Sequence, residues 1–114
     1  DRLHLTVAIN YGGRDEITRA TRRIAAAVKA GELAVEDIGP DTIERYLDTA
    51  GLPDPDLVLR TSGEYRVSGF LTWQSVYSEY SFVDVRWPDF TADMFAAEVR
   101  GFGRRERRFG AVAG

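Results

Sequence analysis

The sequence predicts an α/β protein, a parallel sheet with flanking helices, forming a single domain over residues 1–114. Three observations carry that expectation. Short apolar runs alternate with segments whose apolar residues recur at helical spacing, the order of a βαβ chain. The apolar runs are nearly continuous, as in parallel strands covered on both faces by crossover helices. A hydrophobic content of 44% over 114 residues is enough for one modest core.

The elements follow in order. Residues 3–9 carry Leu3, Leu5, Val7 and Ile9, with Ala8 between the last two, and read as a mostly buried strand. Asn10, Tyr11, Gly12, Gly13 and Arg14 make a Gly-rich turn. Ile17, Ala20, Ile24, Ala27 and Val28 then recur at helical spacing until Gly31 offers a stop. A second helix is predicted over residues 40–50, with Pro40 in its first turn, Ile43, Tyr46 and Leu47 on one face, and Gly51 past its end. After the Pro-Asp-Pro-Asp break at residues 53–56, Leu57, Val58 and Leu59 form a second strand. Residues 70–80, amphipathic and aromatic, predict a short helix, and residues 81–85 a third strand. Thr91 is placed to cap a last helix bearing Phe95, Val99 and Phe102, whose end carries Arg104, Arg105, Arg107 and Arg108. A chain that opens on a buried-type strand reads as one part of a larger sheet.

Composition removes several function classes. No apolar run has the length of a membrane span, and the start lacks the order of a signal peptide, so the chain reads as cytoplasmic. With no cysteine and a single histidine, His4, neither a disulfide framework nor a thiolate or His-rich zinc site is available; any metal must be held by oxygen ligands. A formal charge of −3 argues against general nucleic-acid binding. All but Lys29 of the 15 basic residues are arginines, whose planar forks suit phosphate or carboxylate.

The second strand empties directly into a polar segment, residues 60–69, at the end of the strand where open α/β sheets bind ligands. Arg60 and Arg66 leave that strand end within one loop. Two guanidinium groups can converge there on a diphosphate, with the Ser68 hydroxyl as a further donor and Gly63 letting the backbone approach. On spacing alone a second reading stays open, in which Arg60 pairs with Glu64 or Asp56 to stabilise the loop. Glu64 orients the arginines in either case. The Gly-rich turn at residues 10–14 is neither G-x-G-x-x-G nor a P-loop, and is read as a tight strand-to-helix turn. Phe70, Trp73, Tyr77 and Tyr80 are read as core or subunit-interface aromatics.

Residues 56–79 begin with an apolar strand, continue as R-T-S-G-E-Y-R-V-S and F-L-T-W-Q, and close on Y-S-E. Together with N-Y-G-G-R at residues 10–14, P-D-P-D at 53–56, W-P-D-F at 87–90 and R-R-F-G at 107–110, this ordered set resembles the carboxyl-terminal portion of the cis-prenyltransferase family, the undecaprenyl-diphosphate-synthase-like enzymes. Two positions depart from the pattern: Gly69 stands where many members have Asn, and Thr72 where Leu is usual.

The resemblance implies an isoprenyl diphosphate synthase that condenses isopentenyl diphosphate with an allylic diphosphate. Diphosphate would leave the allylic substrate with help from Mg²⁺, the isopentenyl double bond would attack, and proton loss would leave a cis double bond. It implies that Arg60, Arg66 and Ser68 bind the diphosphate of isopentenyl diphosphate, with Glu64 between them. Glu79 would be one Mg²⁺ ligand, an ion that prefers oxygen donors and substrate phosphates. Arg108 and Gly110, in the terminal R-x-G element, would reach that site across a homodimer. The family's catalytic aspartate lies in a D-G-N-x-R-W-type motif that these residues do not contain, so this portion alone is expected to be inactive. The family's lipid product would bring only a peripheral association with membrane. Two other readings are a noncatalytic partner subunit of a cis-prenyltransferase complex and an α/β binding domain for another phosphorylated metabolite.

Overall fold

A computed structural model describes residues 3–104. The chain divides into two compact units, one made of the residues up to Pro53 together with Gly69–Trp73, the other of Asp54–Ser68 and the residues from Gln74 onward.

The first unit is helical. Helix α1 spans Gly13–Lys29, with Asp15 and Glu16 in its first turn, where carboxylates complement the positive end of the helix dipole. Gly31 supplies the stop: its φ is 77°, its N–H bonds the Val28 carbonyl, and the Glu32 N–H reaches the Ala27 carbonyl, a Schellman closure. Of the predicted apolar stripe, Ala20 and Ala27 are buried. Helix α2, Pro40–Tyr46, packs against α1 and carries Pro at its start. The buried Thr42 hydroxyl accepts from the Gly39 N–H and donates to the Asp37 carbonyl, tying the helix entry to the preceding turn.

Helix α2 stops well short of residue 50 for a tertiary reason. Leu47 is extended and only 3% exposed, and the Asp48 N–H is taken by the Glu16 carboxylate at 2.8 Å. Burying Leu47 and satisfying Glu16 outweigh continuing a short helix. On the surface, Arg19 bridges Asp15 and Asp48, both Asp48 contacts being 2.8 Å.

Gly13 is glycine because of what faces it. Its N–H donates to the Gly69 carbonyl at 2.8 Å, and a Cβ built on it would lie 2.1 Å from Thr72 Oγ1 and 2.5 Å from that carbonyl oxygen. The turn at residues 10–14 is thus the tight entry to α1 that the sequence suggests, with Asn10 left-handed at φ 54° and Gly12 extended. The Tyr11 ring meets Phe70 edge to face, centroids 5.8 Å apart.

The second unit holds the sheet. Strand β1, Leu57–Arg60, pairs in parallel with β2, Glu79–Phe82, in a register that sets Leu57 beside Glu79 and Arg60 beside Phe82. Helix α3, Ala92–Gly103, begins as predicted at Thr91, whose side chain accepts from the Met94 N–H. The buried Ser81 hydroxyl on β2 bonds the Glu98 carboxylate of α3.

Three expectations are corrected. Residues 3–9 form no strand, and Leu3, Leu5, Val7 and Ile9 are between 71% and 81% exposed. Apolar residues make a segment fit for burial, but a strand also needs a hydrogen-bonded neighbour, and the described residues provide a two-stranded sheet only. Of residues 70–80, residues 70–77 make turns rather than a helix, and Glu79 and Tyr80 belong to β2. Ser68, Gly69 and Leu71 have φ of 50°, 76° and 47°, and left-handed residues cannot enter a right-handed helix. The strand expected over residues 81–85 lies at Glu79–Phe82 instead, because pairing with β1 sets its position. No helix among the described residues is long and apolar enough to cross a membrane.

Candidate functional site

Arg60 is the last residue of β1, and the chain turns sharply after it. Ser62 and Gly63 are both left-handed, φ 70° and 68°, the dihedral signs of a type I′ turn. The Ser62 N–H bonds the Val85 carbonyl at 2.8 Å and the Gly63 N–H bonds Val83 at 2.9 Å, so this turn is fastened to the chain leaving β2. The parallel ladder runs one bond further, from the Val83 N–H to the Arg60 carbonyl at 2.9 Å. The start of the loop is therefore set by backbone bonds, which no side-chain motif displays.

The remainder of the loop is held by Arg60. Its Nη1 donates to the Arg66 carbonyl at 2.7 Å and to Ser68 Oγ at 3.1 Å. Arg66 in turn donates to Glu64 at 2.6 Å. In this loop Glu64 is paired with Arg66, and Arg60 binds the loop through a backbone carbonyl and a hydroxyl. Arg60 and Glu64 are partly buried, whereas Arg66 and Ser68 are exposed. The loop thus presents two guanidinium groups and a hydroxyl, with one carboxylate between them.

Tyr65 of this loop and Asp84 of the chain leaving β2, both outside the predicted set, are joined here. The Tyr65 hydroxyl donates to Asp84 Oδ1, and the Tyr65 ring lies 5.9 Å from that of Phe82, which stacks on Tyr80. The hydrogen bond to Asp84 comes first among the causes that raise the Tyr65 pKa, followed by partial burial and the Asp84 charge. Tyr65 stands inside the R-T-S-G-E-Y-R-V-S motif, between the predicted site residues Glu64 and Arg66. Its partner could be found only from the register of β2.

Glu79 is not brought to this loop. It opens β2, whereas Arg60 closes β1 beside Phe82. Three residue steps along the strand separate them, about 10 Å. Among the described residues no group of three or more His, Cys, Asp or Glu side chains could hold a metal ion. Glu79 alone does not make a magnesium site, so the residues described here do not fit that ion by themselves. Arg108 and Gly110 lie outside the described residues.

Comparison with known proteins shows the family. The model of the family described as "Putative undecaprenyl diphosphate synthase" matches residues 1–110. An isoprenyl transferase of Agrobacterium fabrum is 53% identical over 112 residues, covering 98% of this chain and 45% of that protein. An isoprenyl transferase of Geobacillus kaustophilus is 51% identical over 111 residues, covering 97% of this chain and 43% of that protein. Among solved structures, lavandulyl diphosphate synthase from Lavandula x intermedia, in complex with dimethylallyl diphosphate, superposes with a TM-score of 0.87 at 38% identity, over 91% of this chain and 45% of that one. A probable undecaprenyl diphosphate synthase from Campylobacter jejuni gives a TM-score of 0.75 at 36% identity, over 91% of this chain and 46% of that one. The chain thus spans less than half the length of these relatives. It belongs to the undecaprenyl diphosphate synthase family of prenyltransferases.

Proposed function

We propose that this chain is the isopentenyl-diphosphate-binding portion of a cis-prenyl diphosphate synthase, which joins isopentenyl diphosphate to an allylic diphosphate and yields a Z-polyprenyl diphosphate. The observation that carries the proposal is the bonding of Arg60 to the Arg66 carbonyl and to Ser68 Oγ. One guanidinium group thereby sets the second guanidinium and the hydroxyl on a single loop at the carboxyl end of β1.

The diphosphate of isopentenyl diphosphate accepts from Arg60, Arg66 and Ser68. Arg66 exchanges part of its bonding to Glu64 for phosphate oxygens, and Glu64 keeps the guanidinium oriented. Charge-assisted donors in fixed positions bind phosphate oxygens strongly. Holding the nucleophilic alkene in one place is the main contribution that a protein makes to such a condensation, since orientation removes much of its entropic barrier. Magnesium would support loss of diphosphate from the allylic partner. Glu79 would supply at most one of its ligands, the others coming from outside the described residues, and no step above depends on it.

By itself the chain catalyses no condensation, because the D-G-N-x-R-W-type motif with the family's catalytic aspartate is not among these residues. The complete synthase acts as a homodimer. A calorimetric titration with isopentenyl diphosphate and Mg²⁺, run beside an Arg66→Ala variant, tests the binding role. Saturable binding that the substitution abolishes supports it. A folded chain that binds no isopentenyl diphosphate contradicts it.

A further inference from the structure

We infer that Tyr65 and Asp84 are a pair of positioning residues that brace the diphosphate loop, holding Glu64 and Arg66 in the geometry that receives isopentenyl diphosphate; the ligand named here rests on the function proposed above.

The loop is fastened unevenly. At its start, Ser62 and Gly63 are bound through their backbone to residues 83–85. At its far end, Arg60 holds the Arg66 carbonyl and Ser68 Oγ. Between these anchors the chain carries Glu64, Tyr65 and Arg66, and among the described residues Tyr65 is the one of the three tied to the chain beyond β2. Its hydroxyl bonds Asp84, which lies between the two residues that receive the Ser62 and Gly63 N–H groups. The Asp84 carboxylate also lies against the turn itself, with Oδ1 3.3 Å from where a Cβ on Gly63 would sit. One carboxylate thus lies beside the turn and holds the residue two places further on.

The chemistry assigns positioning rather than ligand binding to Tyr65. A phenol has one proton to donate, and that of Tyr65 is directed at Asp84. The ring remains 62% exposed, so burial does not explain its place. What it does have is the tilted contact with Phe82, itself beside Arg60 in the sheet register. Without the hydroxyl bond, the ring contact alone would let the Glu64–Arg66 pair swing with the loop.

The test is a double-mutant cycle in the intact protein, read by calorimetric binding of isopentenyl diphosphate and by amide hydrogen exchange over residues 64–68. Tyr65→Phe removes the hydroxyl and keeps the ring; Asp84→Ala removes the acceptor; Asp84→Asn retains an acceptor oxygen. Each of the first two weakens binding about tenfold, in line with loss of a hydrogen bond to a charged group, and speeds exchange across the loop. The double variant is no weaker than either single one, because the two residues act as one unit. Asp84→Asn stays within about twofold of the parent, since the bond survives with a neutral acceptor.

Effects that multiply in the double variant, or a Tyr65→Phe protein with parental affinity and parental exchange, overturn the inference. A parent that binds no isopentenyl diphosphate refutes the ligand and with it the binding role. Exchange still decides the brace in that case, because it is read without ligand: faster loop exchange in Tyr65→Phe upholds it and unchanged exchange refutes it.

Discussion

Arg60 donates to the backbone carbonyl of Arg66 at 2.7 Å, so one of the two arginines of the loop positions the other. The same nitrogen reaches Ser68 Oγ at 3.1 Å. Arg60 therefore has two tasks, contributing charge and shaping the loop. Arg60→Lys keeps the charge and loses the fork that makes both contacts. Isopentenyl diphosphate binding is expected to fall roughly tenfold in Arg60→Lys and roughly a hundredfold in Arg60→Ala, as one or two charge-assisted bonds are lost. Calorimetric dissociation constants check the order. Equal affinity in Arg60→Lys and the parent would leave Arg60 as a point charge only.

Gly13→Ala separates two opposed effects. Helix propensity predicts that alanine within a helix stabilises by about 1 kcal/mol. Overpacking predicts the reverse, because the new Cβ would lie 2.1 Å from Thr72 Oγ1 and 2.5 Å from the Gly69 carbonyl oxygen. The Thr72 side chain can be trimmed, whereas the carbonyl is held by its bond to the Gly13 N–H. The expected result is a loss of about 2–3 kcal/mol, only partly recovered in a Gly13→Ala, Thr72→Ala double variant. Urea unfolding of the three proteins measures it.

Tyr11 makes stability sensitive to alkali. Burial, its hydrogen bond to Glu16 and the Glu16 charge raise its pKa well above the ordinary tyrosine value of 10.0. The folded state therefore keeps a proton that the unfolded state releases as pH passes about 10. The contribution is complete below that pH and is lost as pH rises further toward the folded-state value. Tyr11→Phe cannot titrate, so the stability difference between parent and variant narrows above about pH 10. Thermal midpoints of both proteins from pH 8 to about 11 would show it, and a constant difference would speak against the linkage.

Thr91→Ala tests the cap of α3. The Thr91 side chain accepts from the Met94 N–H at 3.1 Å. Its loss leaves a first-turn donor to water and is expected to cost about 1 kcal/mol, measurable as a lower urea midpoint. Thr91→Ser, which keeps an acceptor, recovers most of it.

How much was legible in the sequence depends on how local each feature is. Helix α1, the Gly31 closure, the Thr91 cap and the strand at Leu57 are written in consecutive residues, and the structure shows them where the pattern puts them. The end of α2 was not legible, because it depends on Glu16 receiving the Asp48 N–H, a contact between residues far apart in the chain. Residues 70–80 have helical apolar spacing, but left-handed backbone at Gly69 and Leu71 overrides it. Residues 3–9 show that an apolar pattern describes a face fit for burial and does not provide the neighbour that would cover it. At the site, Arg60, Glu64, Arg66 and Ser68 could be named from one motif, and the structure brings them together on one loop. Asp84 could not, since its relation to Tyr65 exists only once β2 is in register with β1. Glu79 shares the motif-bearing segment, yet strand geometry carries it to the other end of the sheet.

A crystal structure of the intact protein with a non-reactive thio analogue of isopentenyl diphosphate tests the central claim most directly. The account predicts phosphate oxygens within hydrogen-bonding distance of Arg60, Arg66 and Ser68, about 2.7–3.2 Å. A well-occupied analogue with its phosphates on other residues, and these three still bonded only to one another and to Glu64, would contradict it.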